Sequence, residues 1–282
     1  MPKVKAAMVV GLVAIILFSA AFRMALNAYQ SESDDLDTLL VTGDTQNPDR
    51  VDMVAYILNV DPQQDEAKIR LTFHPEGDLS KDGLSSIWNL KLIAPEAICS
   101  GSGGWVFERG MPLASVDLSF VLLGQVNDYP FDKHSAQLIL ALNRTDPDLR
   151  VPSTVLIKGG VHGYHIELEP ITGFPRGINA MKMTVTRSST VQEAAIASMA
   201  VMWAIGIGVF ALIILMPAGW YNVRMPAFFA ALLFGLYGLR NSLPGTPPIG
   251  AYSDFLSFLW VQGIVALALL VSIIATFKRR PI

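Results

Sequence analysis

Apolar residues follow two different patterns along this chain. Four segments contain no Asp, Glu, Lys or Arg and are dominated by small and aliphatic side chains; they are residues 6–22, 194–216, 226–239 and 255–277. A helix of about 20 apolar residues crosses the roughly 30 Å hydrocarbon core of a bilayer. The pattern therefore predicts four transmembrane helices, with the last three at about 194–216, 223–240 and 255–277 within residues 190–282.

Two of these segments leave an alternative open. The third is the shortest, so it either extends over residues 223–240, with Arg224 and Arg240 reaching the interfaces, or forms a re-entrant hairpin. The first follows two lysines and ends near the small residues Ser19, Ala20 and Ala21. We expect it to be retained as an anchor, and the alternative is a cleaved signal peptide.

Between the first and second apolar segments the hydrophobic period changes to two. In the stretch AKIRLTFH, Ala67, Ile69, Leu71 and Phe73 alternate with polar residues, which is typical of a half-buried strand. The same alternation occurs in YHIELE and MKMTVT. The remaining predicted strands are residues 53–60, 87–93, 116–123, 135–142 and 154–157.

Short strands separated by Gly, Pro, Asn and Asp indicate an antiparallel β-sandwich, which we place at residues 51–189. Residues 29–50 are acidic and lack periodicity, so we predict a spacer there. Residues 1–28 are the N-terminus and the first helix. The predicted fold class is a membrane α plus β protein, with one N-terminal and three C-terminal transmembrane helices and an extracytoplasmic antiparallel β-sandwich.

Charge is divided sharply along the chain. Residues 29–190 contain 22 acidic and 13 basic side chains, whereas the remainder contains 2 acidic and 8 basic ones. Basic residues flank the apolar segments at Lys3, Lys5, Arg224 and the tail 278–280. Because basic flanks stay in the cytoplasm, we predict a multi-pass protein of the plasma membrane with both termini cytoplasmic and the β domain outside.

The amino-acid composition also favours a membrane protein over a soluble one. Hydrophobic residues make up 52% of the 282 residues and the mean hydropathy is +0.43, which is too apolar for an ordinary soluble protein. Cys99 is the single cysteine, so no disulfide can form within the chain. Nothing in the charge pattern indicates nucleic-acid binding.

A turn motif, NDYPFDKHS, precedes the predicted strand 135–142. Pro130 fixes its own φ and makes Tyr129 extended, so we expect Phe131 to project as an apolar plug. The stretch resembles the Pro-Phe-Asp loop of pentameric ligand-gated ion channels, in which a corner of a β-sandwich touches the outer ends of membrane helices. That resemblance implies docking of the motif near the loop 243–252.

A broader resemblance covers nearly the whole chain. One helix, an outer β domain with a Tyr-Pro-Phe-Asp turn, three C-terminal helices, the string LRNSLPGTPPIG before SDFLSFLW, and a basic tail resemble the bacterial membrane-protein family catalogued as domain of unknown function 4436. The resemblance implies an architecture but no chemistry, substrate or cofactor.

The proline-rich string predicts a stiff outer loop that packs beneath a domain, with Phe131 against Ile249. Ser253 and Asp254, which follow the string, are placed to cap the last helix. The residues that we assign to coupling of the β domain to the membrane are Tyr129, Pro130, Phe131, Asp132, Pro244, Pro247, Pro248 and Ile249.

Small residues four positions apart predict close packing of helices. Ala204 with Gly208, and Ala231 with Gly235, let backbones approach, either within one molecule or between copies. Gln262 is expected to donate a hydrogen bond across such a contact.

The chain offers few groups for catalysis. His162 and His165 lie three apart on a predicted strand and so point to opposite faces, which disfavours a shared metal. His134 beside Asp132 is expected to be an exposed pair in a turn. We therefore predict no catalytic, cofactor-binding or metal-binding residues, and no enzyme activity.

These observations favour a non-enzymatic accessory, scaffold or binding component of a cell-envelope complex. Its expected partners are the lipid bilayer and either another protein or further copies of this chain; a small-molecule ligand is left unspecified. The alternative is an oligomeric ligand-sensing or channel-like protein that couples the β-sandwich to the helices. A conducting pore is disfavoured because residues 194–216 contain a single hydroxyl residue, Ser198.

Overall fold

The computed structural model describes residues 23, 38–80, 82–98, 104–215 and 224–278. The predictions for the first apolar segment, for Cys99 and for the last basic residues 279–280 lie outside the described residues. The chain divides into two compact units. We call them the β unit, described at residues 38–80, 82–98, 104–125 and 133–188, and the helical unit, described at residues 23, 126–132, 189–215 and 224–278.

The described part of the β unit contains strands of 2 to 13 residues. They are β1 (Thr38–Gly43), β2 (Val51–Asp61), β3 (Glu66–Pro75), β4 (Leu90–Ile93), β5 (Ala97–Ile98), β6 (Trp105–Phe107), β7 (Val116–Val121), β8 (Leu123–Gly124), β9 (Lys133–Thr145), β10 (Asp148–Val151), β11 (Ser153–Lys158), β12 (Tyr164–Pro170) and β13 (Ile178–Arg187).

The strands form two sheets. The first has the order β1-β11-β2-β3-β7-β5, and the second has β12-β13-β9-β4-β6, with β8 and β10 also paired to β9. Buried side chains from both sheets form one core, as expected for a sandwich; Met53 and Ile69 come from the first sheet, and Leu138 and Met181 from the second. The β-rich domain predicted from the sequence is therefore confirmed.

The period of two in the sequence identified strands correctly, because alternate side chains of a strand are buried in the core. Along β3, Ala67, Ile69, Leu71 and Phe73 are buried, while Lys68, Arg70 and His74 are exposed. Opposite faces of a strand alternate in this way.

The prediction of a purely antiparallel sandwich is wrong. β11 pairs with β2 in parallel, with Val155 opposite Met53, although the other pairings are antiparallel. The predicted spacer 29–50 is also wrong in part, because β1 lies within it and pairs with β11. A six-residue strand with acidic residues on both sides is too short for a period of two to stand out.

The described helices of the helical unit are α1 (Ser189–Leu215), α2 (Arg224–Asn241) and α3 (Leu259–Phe277), with a π-helical segment at Asp254–Phe258 directly before α3. They pack through a core that includes Met202 of α1, Phe229 of α2 and Val261 of α3. α1 and α3 start within a few residues of the predicted segments.

Two helices are long and apolar enough to cross a membrane, rather than the predicted four; they are Ser189–Leu215 and Asp254–Phe277. This statement covers the described residues alone, and the first predicted segment lies outside them. α2 forms where the third segment is predicted, but it is not one of the two, because Arg224, Arg240 and Asn241 lower the mean hydropathy of its 18 residues.

Candidate functional site in the helical unit

The helical unit includes a segment far from its helices in sequence, Val126–Asp132, which the chain places between β8 and β9. It is a tight turn: the Tyr129 amide donates to the Val126 carbonyl (3.3 Å), and the Phe131 amide donates to the Asp128 carbonyl (2.9 Å). The Tyr129–Pro130 peptide bond is cis. The two aromatic residues on either side of Pro130 differ in burial: Tyr129 is buried and Phe131 is exposed.

Tyr129 is fully buried, with no exposed surface. It belongs to a small apolar cluster with Ala195 of α1 and with Leu243 and Ala251 of the proline-rich loop, and Val191 packs against the cluster. We call these residues the Tyr129 cluster. Small partners such as alanine leave room for the ring, so one aromatic residue fills the space between three separate parts of the sequence.

Phe131, which the sequence predicts as the plug, is 53% exposed, and Ile249, its predicted contact, is 80% exposed. The buried aromatic residue of the turn is Tyr129, and the contact between Phe131 and Ile249 stays a prediction. Tyr129 and Phe131 both flank a proline in a turn, and no period along the chain shows which of them faces inward. Among the loop prolines, Pro247 is buried, while Pro244 and Pro248 are half-buried.

Arg240 and Asp254 form a buried ion pair at the two ends of the proline-rich loop. Arg240 Nε donates to Asp254 Oδ1 (2.9 Å) and Nη2 donates to Oδ2 (2.8 Å). The side chains are 5% and 3% exposed. Two parallel charge-assisted bonds of this kind fix direction as well as distance.

The same two side chains also hold the loop backbone. Arg240 donates through Nη1 to the Pro247 carbonyl (3.0 Å) and through Nη2 to the Pro248 carbonyl (2.6 Å). The Gly250 amide donates to Asp254 Oδ2 (2.8 Å). We call this arrangement the Arg240–Asp254 clamp. A buried ion pair is tolerated when further hydrogen bonds satisfy its remaining donors and acceptors, as they do here.

The clamp corrects two expectations. Arg240 is buried within the chain instead of extending outward, and Asp254 accepts from Arg240 and Gly250 instead of capping a helix. Ser253 makes no side-chain capping bond, and its buried Oγ has no hydrogen-bond partner among the described residues. The arginine takes the carboxylate because a charged donor outcompetes the amides of a helix terminus.

Backbone turns connect the clamp to the Tyr129 cluster. The Leu243 amide donates to the Arg240 carbonyl (3.3 Å), and the Asp254 amide donates to the Ala251 carbonyl (2.8 Å). Leu243 and Ala251 are therefore each one turn away from a member of the clamp. The ion pair fixes the two loop ends that contact Tyr129, so the clamp and the cluster form one structure.

A widened helical turn follows the clamp. The π-helical segment Asp254–Phe258 leaves carbonyls accessible to two indoles: Trp203 Nε1 donates to Leu256 O (3.0 Å), and Trp260 Nε1 donates to Phe255 O (2.8 Å). Short π segments are frequent at functional positions in helices. Here the segment joins α1, through Trp203, to the start of α3.

Close packing of helices occurs at a glycine other than those predicted. A Cβ built on Gly206 would lie 3.1 Å from Val261 Cγ2, so this position of α1 is tight against α3. A Cβ on Gly208 or on Gly235 would meet nothing within 4 Å among the described residues.

Within the described residues these two glycines meet no neighbouring helix, and Ala204 and Ala231 are exposed as well. Packing of the two pairs between copies stays a prediction. Gln262 is half-buried. The pattern of small residues at a spacing of four was the correct type of signal, but it does not tell which face of a helix meets a neighbour.

Three of the four histidines lie on different strands: His74 on β3, His134 on β9 and His165 on β12. In the part of the chain that the structure describes, no three His, Cys, Asp or Glu side chains come together as metal ligands. His165 lies 3.5 Å from Glu167 at the surface. Asp132 and His134, predicted as an exposed pair, are each 1% exposed; His134 is buried because it lies on the inward face of β9.

The fold and the clamp define a class of protein: a β-sandwich unit followed by a helical unit with two strongly apolar helices. The chain belongs to the family described as Domain of unknown function (DUF4436), whose model matches residues 41–185. A second family model, Domain of unknown function (DUF8686), matches residues 187–279. The boundary between the matches falls where β13 ends and α1 begins. A comparison with curated proteins found no match.

Proposed function

We propose that this protein is a membrane protein that acts by binding and assembly, with the turn Val126–Asp132 coupling the β unit to the helical unit. The observation that carries the proposal is the complete burial of Tyr129 in the cluster that the Arg240–Asp254 clamp holds in place. The chain leaves the β unit at Gln125 and returns to it at Lys133, so the turn is joined covalently to the β unit at both of its ends.

Membrane insertion is supported by the surface of the two apolar helices. Only 22% of the apolar window of Ser189–Leu215, and 28% of that of Asp254–Phe277, is buried within the chain. A core helix of a soluble protein is mostly buried, whereas large exposed residues such as Ile207, Phe210 and Leu267 here require a covering. Lipid covers such residues when a helix spans a bilayer.

The clamp is suited to a structural role rather than to catalysis. Its arginine and its carboxylate are each engaged by at least two partners and are almost completely buried. A charge pair inside a helical bundle is retained when it fixes one arrangement of the chain. We assign the clamp to holding the proline-rich loop in the shape that receives Tyr129.

The orientation follows from charge. The acidic region 29–190 is placed outside the cell membrane, and the basic tail is placed in the cytoplasm. On this proposal the β unit presents its surface to other components of the cell envelope.

Two experiments test the proposal. In a Cys99→Ser background, a cysteine at exposed Leu123 of the β unit should react with an impermeant maleimide in intact cells, and one at Lys278 should react only after lysis. The reverse pattern contradicts the orientation. For assembly, the protein is purified in mild detergent, and the associated proteins are quantified for the wild type, Tyr129→Ala and the control Phe131→Ala.

Loss of the associated proteins in Tyr129→Ala, with retention in Phe131→Ala, is expected. Identical associated proteins in all three would contradict a coupling role for Tyr129.

A second candidate, an oligomer that senses a ligand, is favoured by one observation. Ala204, Gly208, Ala231 and Gly235 lie on exposed faces of α1 and α2, where copies of the chain could approach closely. The mass of the purified complex, with Gly208→Leu as the test variant, separates this candidate from a monomeric scaffold.

A further inference from the structure

The helix α1 is longer than a bilayer requires. Its 27 residues span about 40 Å, whereas the hydrocarbon core is about 30 Å thick. We infer that residues 189–198 of α1 stand outside the hydrocarbon, on the side of the proline-rich loop, and that the boundary between lipid headgroups and acyl chains contacts a belt of aromatic residues just below them. The inference rests on the proposed membrane insertion and specifies which surface of the helical unit meets that boundary.

Two contacts fix the level of α1 against α3. The Ser257 hydroxyl donates to Met202 Sδ (3.6 Å), and a Cβ built on Gly206 would lie 3.1 Å from Val261 Cγ2. A step of one turn along α1, from Met202 to Gly206, therefore matches a step of one turn along α3, from Ser257 to Val261. The two helices run in the same direction, with Met202 level with Ser257.

The length of the second apolar stretch places the boundary on α3. Asp254–Phe277 has 24 residues, which span about 36 Å, and no charged residue follows Asp254 within it. This stretch fits the hydrocarbon core with little overhang, so the boundary lies near its first turn. Asp254 is one turn before Ser257 and is therefore level with Met199 of α1. The turns of α1 before Met199 lie beyond the boundary.

The proline-rich loop 242–253 supports the same level. Ser242 and Gly250 of this loop are exposed. Lipid-exposed irregular loops do not occur within the hydrocarbon, because their backbone polar groups need water or protein partners. The Tyr129 cluster joins the loop to the first turns of α1, since Ala251 and Ala195 belong to it together. These turns of α1 share the level of the loop and lie outside the hydrocarbon with it.

Exposed aromatic residues from all three helices gather just below this level. Trp203 of α1 reaches the Leu256 carbonyl (3.0 Å), and the ring of Tyr237 of α2 lies 6.4 Å from that of Phe258. Aromatic side chains concentrate where headgroups meet acyl chains. The residues that we call the aromatic belt are Trp203, Tyr237, Tyr252, Phe255 and Trp260.

The two tryptophans of the belt are suited to contact with acyl chains. The indole N–H of Trp260 donates to the Phe255 carbonyl (2.8 Å), and that of Trp203 donates to the Leu256 carbonyl. The rings are nevertheless 64% and 37% exposed. A ring whose N–H is bonded within the protein needs no water, and both acceptor carbonyls are satisfied without water as well. We therefore place both indoles on the hydrocarbon side of the belt and Tyr252 on the headgroup side.

Depth measurement by spin labelling tests the inference. The full chain, in a Cys99→Ser background, carries one nitroxide on Ile196→Cys, Val201→Cys or Phe210→Cys, which are exposed positions of α1, and is reconstituted into phosphatidylcholine vesicles. Relaxation by a water-soluble nickel chelate reports contact with water, and relaxation by oxygen reports contact with hydrocarbon. We expect the Ile196 label to respond mainly to the chelate, the Phe210 label mainly to oxygen, and the Val201 label to both.

A matched pair on the two helices sharpens the test. Val201 is level with Leu256 by the alignment of α1 with α3, and both are exposed, so labels at the two positions should report equal depth. A helix α1 centred in the bilayer would instead place Val201 near the midplane and Leu256 near the boundary. Leu267, exposed and further along α3, is the control for a deep position on that helix.

An Ile196 label that is as shielded from the nickel chelate as the Phe210 label overturns the inference, and so does a Val201 label that lies much deeper than the Leu256 label. Both results leave membrane insertion intact. Equal access of the chelate to Ile196, Phe210 and Leu267 contradicts insertion itself, and the inference falls with it.

Discussion

Arg240 and Asp254 are joined by two hydrogen bonds of 2.9 and 2.8 Å across the 12-residue loop 242–253, and both side chains are almost completely buried. The same arginine holds two proline carbonyls, and the same carboxylate holds a glycine amide. Proline has no amide hydrogen, so a loop of this composition has few bonds of its own. The ion pair supplies the bonds that such a loop lacks.

Removal of either charge should be strongly destabilising, because the other is left buried and unpaired. Arg240→Met or Asp254→Leu should lower the free energy of unfolding of the helical unit by about 3–5 kcal/mol. The double variant should lose less than the sum of the single losses. Chemical unfolding of the four proteins in detergent measures this, with exposed Lys278→Met as control.

Exchange of the two charges gives a sharper version of the test. Arg240→Asp combined with Asp254→Arg keeps an ion pair but places a carboxylate against the carbonyls of Pro247 and Pro248. Because both partners would then be acceptors, we expect no rescue of stability. Full rescue would show that the carbonyl contacts of Arg240 are unimportant.

Tyr129 and Phe131 should differ greatly when truncated. Tyr129→Ala empties a fully buried position, which typically costs about 3–5 kcal/mol for a large aromatic residue. Phe131→Ala removes a ring that is more than half exposed and should cost well under half as much. Thermal unfolding of both variants checks this prediction, and equal losses would contradict the assignment of Tyr129 as the buried residue.

Gly206 and Gly208 provide a matched pair on one helix. Gly206→Leu should force α1 away from α3, because even a Cβ at this position reaches Val261 at 3.1 Å, whereas a Cβ at Gly208 meets no described residue. We expect a lower unfolding temperature for Gly206→Leu alone and partial recovery when Val261→Ala is added. Equal effects at both positions would place the contact elsewhere.

The β unit should lose a specific contribution to stability in acid. The pKa of the Asp82 carboxyl is held well below its usual range by hydrogen bonds from the Ser85 amide, the Leu84 amide and the Ser85 hydroxyl. A carboxyl whose pKa is lower in the folded state stabilises the fold above its unfolded pKa of about 3.9, and that contribution is lost as the pH falls toward the folded value.

Asp82→Asn should therefore lower the unfolding temperature at pH 7, and the difference from the wild type should shrink below about pH 4. Asp78→Asn, in an exposed position nearby, is the control. A difference that is constant from neutral to acidic pH would show that Asp82 does not act through its charge.

The sequence predicted those parts of the fold that follow from a repeating pattern. β3, β12 and β13 alternate apolar and polar residues, and α1 and α3 are long apolar runs, so each is visible from its own residues. β1 was missed because it is short and surrounded by acidic residues. The parallel pairing of β11 with β2 was missed because it depends on contacts between strands about 100 residues apart.

The site was harder to predict, because its parts are not periodic. The sequence showed a motif at Tyr129 and a proline-rich loop, but it did not show which aromatic residue is buried. From the sequence, Arg240 was expected at a membrane interface and Asp254 at the start of the last helix, with no contact between them. A signal was present: each charged residue interrupts an apolar segment at an end of the same Pro-Gly loop. Opposite charges in that position indicate an ion pair that closes the loop.

The central claim is that the turn Val126–Asp132 belongs structurally to the helical unit, with Tyr129 held by the loop that the Arg240–Asp254 clamp closes. Hydrogen–deuterium exchange of the full chain, compared between the wild type and Asp254→Asn, tests it most directly. We predict faster exchange in peptides covering 126–132 and 242–253 together, with β9 unchanged. Faster exchange in 242–253 alone, with 126–132 as protected as in the wild type, would contradict the account.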